Sequence, residues 1–255
     1  MKKKGTIIFI IMFLAMLVAN YFQYQLSPIA GRVMENLNLS QTQFSSVFSA
    51  PMIPAIVLSI IAGILSDRFG IKKVCGTAIV IAAIGLCYRP FAYNYETFLV
   101  SMILAGIGTA FLNVNVAKIM GRYYEPEKTG TMVGMVMMGS AIGMTLATSI
   151  TAAFPSVKTA LLVAAAGEVV ITVLWFLFMD GDRGNTETES GPQKVSLTDS
   201  ISIVLKCRHI WVLGVCMMCI LGCNTAMGGF VPMALQSRGV SEAAAGFVIT
   251  GMMVG

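Results

Sequence analysis

An all-α integral membrane bundle is the architecture this sequence predicts, on three observations. Hydrophobic residues make up 56% of the 255 and charged residues only 11%, with a mean hydropathy of +0.81. Apolar windows of about 20 residues, long enough to cross a bilayer core as a helix, recur along the whole chain. The basic residues sort to alternate loops. Soluble domains carry about 25% charged residues, so this chain lacks the polar surface that water demands.

The windows run Thr6–Ala30, Gln43–Leu65, Val74–Ala92, Thr97–Ala117, Gly130–Phe154, Lys158–Met179 and Ile210–Leu235, and an eighth opens near Glu242. Each has to satisfy its own backbone hydrogen bonds in lipid, which a helix does and a lone strand does not. The opening Met1-Lys-Lys-Lys has the charge of a signal peptide, but the apolar run behind it is too long and lacks a small-residue cleavage site, so it reads as an uncleaved anchor. Cys75, Cys87, Cys207, Cys216, Cys219 and Cys223 fall in the spans or at their ends and suggest no disulfide framework.

Orientation follows from lysine and arginine. With the N-terminus in the cytoplasm, only Arg32, Arg89, Lys158 and Arg238 lie outside, and the remaining 13 of the 17 basic residues lie inside. The expected location is the cytoplasmic membrane, multi-pass, with the N-terminus cytoplasmic. The net charge of +5 then reports topology and needs no nucleic-acid partner.

From Asp180 to Asp199 the chain turns polar and rich in Gly, Ser and Thr. The expected division is a six-helix domain over 1–180, a cytoplasmic linker over 181–208 and the start of a second membrane domain over 209–255. A short surface helix at Leu197–Lys206 and an ordinary loop are equally compatible with the pattern. An internal repeat supports the division. Asn20 precedes Pro28 by eight residues in the first span, as Asn224 precedes Pro232 in the seventh, and Leu39-Ser40 and Val240-Ser241 each open the next helix. Parallel repeats of this kind occur in transporters whose halves surround a midplane site. The second copy of the second helix would run past Gly255, so the chain is expected to be a fragment of a longer protein.

The loop between the second and third windows reads Gly63-Ile-Leu-Ser-Asp67-Arg68-Phe-Gly70-Ile-Lys72-Lys73. Gly63 permits close helix approach, Asp67 and Arg68 can pair, and the lysines hold the loop inside. This pattern resembles the signature of the major facilitator superfamily, and the stretch Arg122 to Gly130, with Gly134 one turn on, resembles that family's loop before helix five. The resemblance implies twelve helices in two six-helix halves that rock around a central cavity. This chain would supply the N-terminal half, helix seven and part of helix eight. It also implies that Gly63, Asp67, Arg68, Gly70, Lys72 and Lys73 form a latch stabilising the outward-facing state. Two features of proton-coupled and antiporter relatives are missing: an arginine early in helix four, near Met102, and the proline motif of helix five. The glycines there, Gly130, Gly134, Gly139 and Gly143, read as a helix-packing stripe.

Polar groups inside the spans supply the candidate site, because each is costly in lipid. Asn20 and Tyr24 share one face of the first helix and Tyr21 and Gln25 another, and Gln23 adds a fifth polar group. Asn113 and Asn115 stand in the fourth span and Asn224 in the seventh. By resemblance these three helices line the cavity, so the amides and phenols are candidates for solute contact, with interhelical hydrogen bonding as the rival role. Arg89, near the outer end of the third span, either snorkels to the headgroups or faces an anion. Glu168, mid-span in the sixth, is a candidate for proton coupling. Lys118 reads as interfacial. Cys216, Cys219 and Cys223 have a spacing that could suit Cu(I), but small thiols packed in a bundle explain them better, and His209 has no metal-ligand partner, so no metal or cofactor is expected. No phosphate-binding glycine loop, nucleophile–base pair or metal cluster points to an ATP-driven pump or an enzyme.

The expected function is secondary transport of a small solute by alternating access, with an organic or inorganic anion favoured by Arg89 and an amide-rich cavity. The expected partners are that solute and membrane lipid, and the expected state is a monomer. Lipophile or multidrug efflux, suggested by the 19 methionines, and a non-transporting sensor or scaffold are the alternatives.

Overall fold

A computed structural model describes residues 2–180 and 207–254. Residues 181–206 of the expected linker, including the surface helix considered at Leu197–Lys206, lie outside this description. Among the described residues, seven helices are long and apolar enough to cross a membrane: Lys4–Tyr24, Gln41–Phe69, Ile71–Phe91, Tyr95–Tyr123, Pro126–Ala153, Val157–Phe178 and Trp211–Gln236. They are called here the first to seventh spans. A further helix, Glu242–Val254, follows.

Several helices overrun the apolar windows, by up to about a turn, because the capping signals lie in the polar flanks. Ser40 and Asn94 each open a helix with a capping box, to Gln43 and Thr97 respectively. The first span does the reverse. Its helix stops at Tyr24, short of Ala30. Pro28 has no N–H to continue the ladder, and the chain tightens into Leu26 N to Gln23 O and Ser27 N to Tyr24 O bonds. A short helix, Ala30–Leu37, then runs to Asn38, which takes a left-handed φ of 50°.

The repeat is visible in local geometry. Asn20 Nδ2 donates to Met16 O at 3.0 Å, and Asn224 Nδ2 to Ile220 O at 3.1 Å. Asn38 and Gly239, each two residues before the capping serine, are both left-handed. Ser40 accepts from Gln43 N and Ser241 from Ala244 N.

The first six spans pack around one another. The first presses against the fifth and also touches the sixth and fourth, the third lies between fourth and sixth, and the second leans on the fourth. The expected glycine stripe divides in two. A Cβ on Gly139 would meet the Phe13 carbonyl oxygen at 2.5 Å, and one on Gly143 would run into that of Leu17, so here two helix backbones touch. Gly130 and Gly134 have nothing within 4 Å and take no part.

The basic residues gather at one end of the bundle, the basic end, with Lys4, the 67–73 loop, Lys118 and Lys128. Arg32, Arg89, Lys158 and Arg238 mark the far end. The seventh span packs on the bundle through its far-end half, from Thr225 onward. Leu213, Met218 and Leu221 in its basic-end half are 61 to 68% exposed.

Candidate solute cavity and its gates

The two faces of the first span have separate surroundings. On one face, Tyr24 packs edge-on to Phe48, with ring centroids 5.8 Å apart, and its hydroxyl reaches Thr225 Oγ1 of the seventh span at 3.4 Å. Asn20 is one turn toward the basic end on this face and half-buried. Asn224 adjoins Thr225 and is exposed. Each of these amides spends one N–H on its own helix and keeps the rest of its hydrogen-bonding capacity. Asn113 is exposed on the fourth span, while Leu112, Val116 and Ile119 beside it are buried. Mid-span amides with unused hydrogen-bonding capacity are expensive in lipid, so these three positions call for a wet, polar opening.

The other face of the first span is closed. Gln25 is fully buried and Tyr21 is 7% exposed. Both converge on Arg89, itself only 1% exposed. Arg89 Nη1 donates to Phe22 O at 2.8 Å and reaches Met102 Sδ at 3.4 Å, and the guanidinium carbon sits 5.8 Å from the Phe22 ring centroid. Oriented so that its oxygen accepts from Arg89 Nη2, the Gln25 amide donates to Ala160 O at 3.0 Å. The 3₁₀ tightening above Pro28 frees the Phe22 carbonyl, and Arg89 caps it. The Tyr21 and Thr151 hydroxyls approach each other without hydrogen-bond geometry.

Several expectations are corrected here. Arg89 neither snorkels nor faces the opening; it joins the first, third, fourth and sixth spans. Gln25 and Tyr21 belong to that plug and are unavailable to a solute in this state. Asn115 is also buried: its Nδ2 donates to Ser66 Oγ and Phe111 O, both at 2.9 Å, which ties the fourth span to the second. Glu168 is 5% exposed on the packed face of the sixth span, and no hydrogen bond to its carboxyl is found among the described residues. The thiols of Cys216, Cys219 and Cys223 are exposed rather than packed.

At the far end, contacts between the first six spans and the later helices are dense. Ser27 Oγ donates to Gly229 O at 2.9 Å, and Gln236 Nε2 to Pro28 O at 2.8 Å. Gly229 lies directly on the Phe48 ring and Gly246 on the Thr148 carbonyl. Arg32 joins three elements. It pairs with Glu242 at 2.7 Å and donates to Phe154 O at 3.0 Å and Ala152 O at 3.1 Å. Nothing in the sequence pattern marked Arg32 beyond its side of the membrane, because its acid lies 210 residues away.

At the basic end, Asp67 and Arg68 do not pair with each other. Asp67 takes Lys118 of the fourth span at 2.7 Å, and Arg68 lies over the Phe69 ring, 5.3 Å from its centroid. Gly70, with φ 88°, makes the turn that links the second and third spans, a conformation costly for any residue with a Cβ. Gly63 makes only an ordinary contact with Val114 and lends its carbonyl to Lys118 at 3.5 Å. Lys128 bonds Glu125 at 2.8 Å and holds that loop carboxyl below the usual range. The Asp67–Lys118 pair is well exposed, so Asp67→Asn is expected to change thermal stability by less than about 1 kcal/mol. A larger loss on melting the purified protein would show that the pair is a structural tie.

The profile of the Major Facilitator Superfamily matches residues 8–255. The hexuronate transporter of Bacillus subtilis (strain 168) is 26% identical over 202 residues, 78% of this chain and 48% of that protein. The nitrite extrusion protein of the same organism is 25% identical over 242 residues, 93% of this chain and 59% of that protein. The chain thus spans about half to three-fifths of these relatives. In structure it is similar to a bacterial homologue of the human lysosomal transporter Spinster, solved inward-facing and unoccupied. The TM-score is 0.80 at 14% identity, over 99% of this chain and 60% of that one.

Proposed function

The chain belongs to the major facilitator superfamily, and from that premise we propose that it serves a secondary transporter that moves a small anion by alternating access. The observation that carries this reading is the asymmetry of contact around the seventh span. Its far-end half meets the first and second spans, the helix after it meets the fifth, and Leu213, Met218 and Leu221 toward the basic end are exposed among the described residues, with Asn20, Asn113 and Asn224 on that side. Residues 1–180 act as the N-terminal half and the seventh span begins the second.

The positive-inside rule puts the basic end in the cytoplasm, which makes this an inward-open state. The far-end contacts of Ser27, Arg32 and Gln236 are then the closed outer gate. The Asp67–Lys118 pair and the rest of the 63–73 loop are the inner latch, awaiting partners from the other half. The preference for an anion is supported by two relatives, which handle hexuronate and nitrite. Amide N–H groups can hold such a solute without a buried cation on the wall.

Uptake and counterflow in proteoliposomes, with hexuronates, nitrate and nitrite set against neutral sugars and lipophilic cations, test the proposal. Anion counterflow is expected, and Asn20→Leu or Asn113→Leu should weaken it at least tenfold without loss of folded protein. Transport of neutral or lipophilic solutes alone would refute the anion assignment. Glu168 is the proposed coupling group, since a buried, unbonded carboxyl is retained at a cost. Glu168→Gln is expected to keep counterflow and to abolish the response to a pH gradient. An unchanged response would reduce Glu168 to a packing residue.

A further inference from the structure

We propose that the groove between the second and third spans binds an anionic phospholipid of the leaflet at the basic end. The groove holds about 230 Å³. Ile107 and Phe111 of the fourth span form its floor, with Leu65 of the second span and Val74, Thr77 and Ile81 of the third as walls. At 100° per residue, Asn113 points about 140° away from Ile107 and Phe111 on the fourth helix, so the groove opens on lipid and is distinct from the solute cavity.

The groove is apolar along its length and cationic at its mouth. The Thr77 hydroxyl is turned back onto the Lys73 carbonyl at 2.8 Å, which leaves its methyl group to the groove. That bond also places Lys73 one turn nearer the basic end on the same helix face, where it is exposed. The Gly70 turn closes the groove at this end and brings Arg68 and Lys73 toward the mouth, while Lys72 lies on the opposite face of the third helix, one turn from Gly76 against Trp175 and Phe176. The one acid of the turn, Asp67, is taken by Lys118. No ion pair joins Arg68, Lys72 or Lys73 to an acid among the described residues. An acyl chain fits the apolar walls, and a phosphodiester at headgroup depth meets the lysine ammonium, the arrangement by which basic pockets between spans select anionic lipid.

Native mass spectrometry of the purified full chain, titrated with phosphatidylglycerol and with phosphatidylcholine of the same acyl chains, tests this. One phosphatidylglycerol is expected to bind about tenfold more tightly than phosphatidylcholine. Lys73→Gln should weaken it roughly fivefold, and Arg68→Gln in addition should weaken it further. Thr77→Trp, at an exposed position, fills the groove and should weaken binding with Lys73 and Arg68 present. If that variant melts early, Ile81→Trp takes its place. Equal binding of the two lipids overturns the proposal, as does binding that survives groove filling. Displacement by inorganic phosphate as effective as by lipid would reduce the mouth to an ion site and overturn it too.

Discussion

Gly143→Leu is expected to prevent the first six spans from packing, whereas Gly134→Leu, nine residues earlier on the same helix, leaves them intact. A Cβ at position 143 collides with the Leu17 carbonyl oxygen, and a backbone atom cannot rotate away as a side chain would. The fifth span would have to retreat from the first along their closest line of approach. Helix association in lipid rests on close packing of this kind, so retreat forfeits it. A cost of about 3 kcal/mol or more is expected, at the upper end for overpacking. At position 134 an added Cβ meets nothing within 4 Å. Thermal melting and size-exclusion profiles of the two purified variants check this. Equal damage at both positions would show that the two glycines do not differ in packing.

Arg89→Ala should be almost as severe. It opens a cavity among the first, third, fourth and sixth spans and strands the Phe22 carbonyl and the Gln25 oxygen, for a combined loss of about 3 kcal/mol or more. Arg89→Lys is expected to recover only part of this, because one ammonium cannot reproduce the two-pronged geometry of the guanidinium. If alanine at 89 melts like the parent while anion transport disappears, Arg89 is a solute ligand in another state and its structural role fails.

The spans, their side preference and the half-to-half repeat were legible in the residues themselves. Hydropathy, basic loops and the spacings Asn20–Pro28 and Asn224–Pro232 are local signals, and each reappears in the structure as a helix, a charged end or a matched pair of caps. Helical spacing also separated Asn20 and Tyr24 from Tyr21 and Gln25. It could not say which face would be plugged. That depends on Arg89, which meets the first span 67 residues away in sequence, at the Phe22 carbonyl left free where Leu26 N turns to Gln23 O. The partners of Asp67 and Arg32 escaped for a related reason. Adjacent opposite charges suggest a pair, yet side chains at i and i+1 on a helix diverge, and Lys118 on the neighbouring helix was closer. The stripe of four glycines was likewise uniform in sequence, and only the approach of the first span at Phe13 and Leu17 decides that two of them touch a neighbour.

The proposed far-end gate offers the most direct test of the proposed alternating access. Cysteines placed at positions 32 and 242, where Arg32 and Glu242 now pair at 2.7 Å, can be joined by a short bifunctional thiol reagent in proteoliposomes, with the native cysteines replaced. Solute flux should fall to background when the two are joined and return when a reductant cleaves the reagent, while either single cysteine transports throughout. Undiminished flux through the joined protein would contradict a cycle in which this end must open.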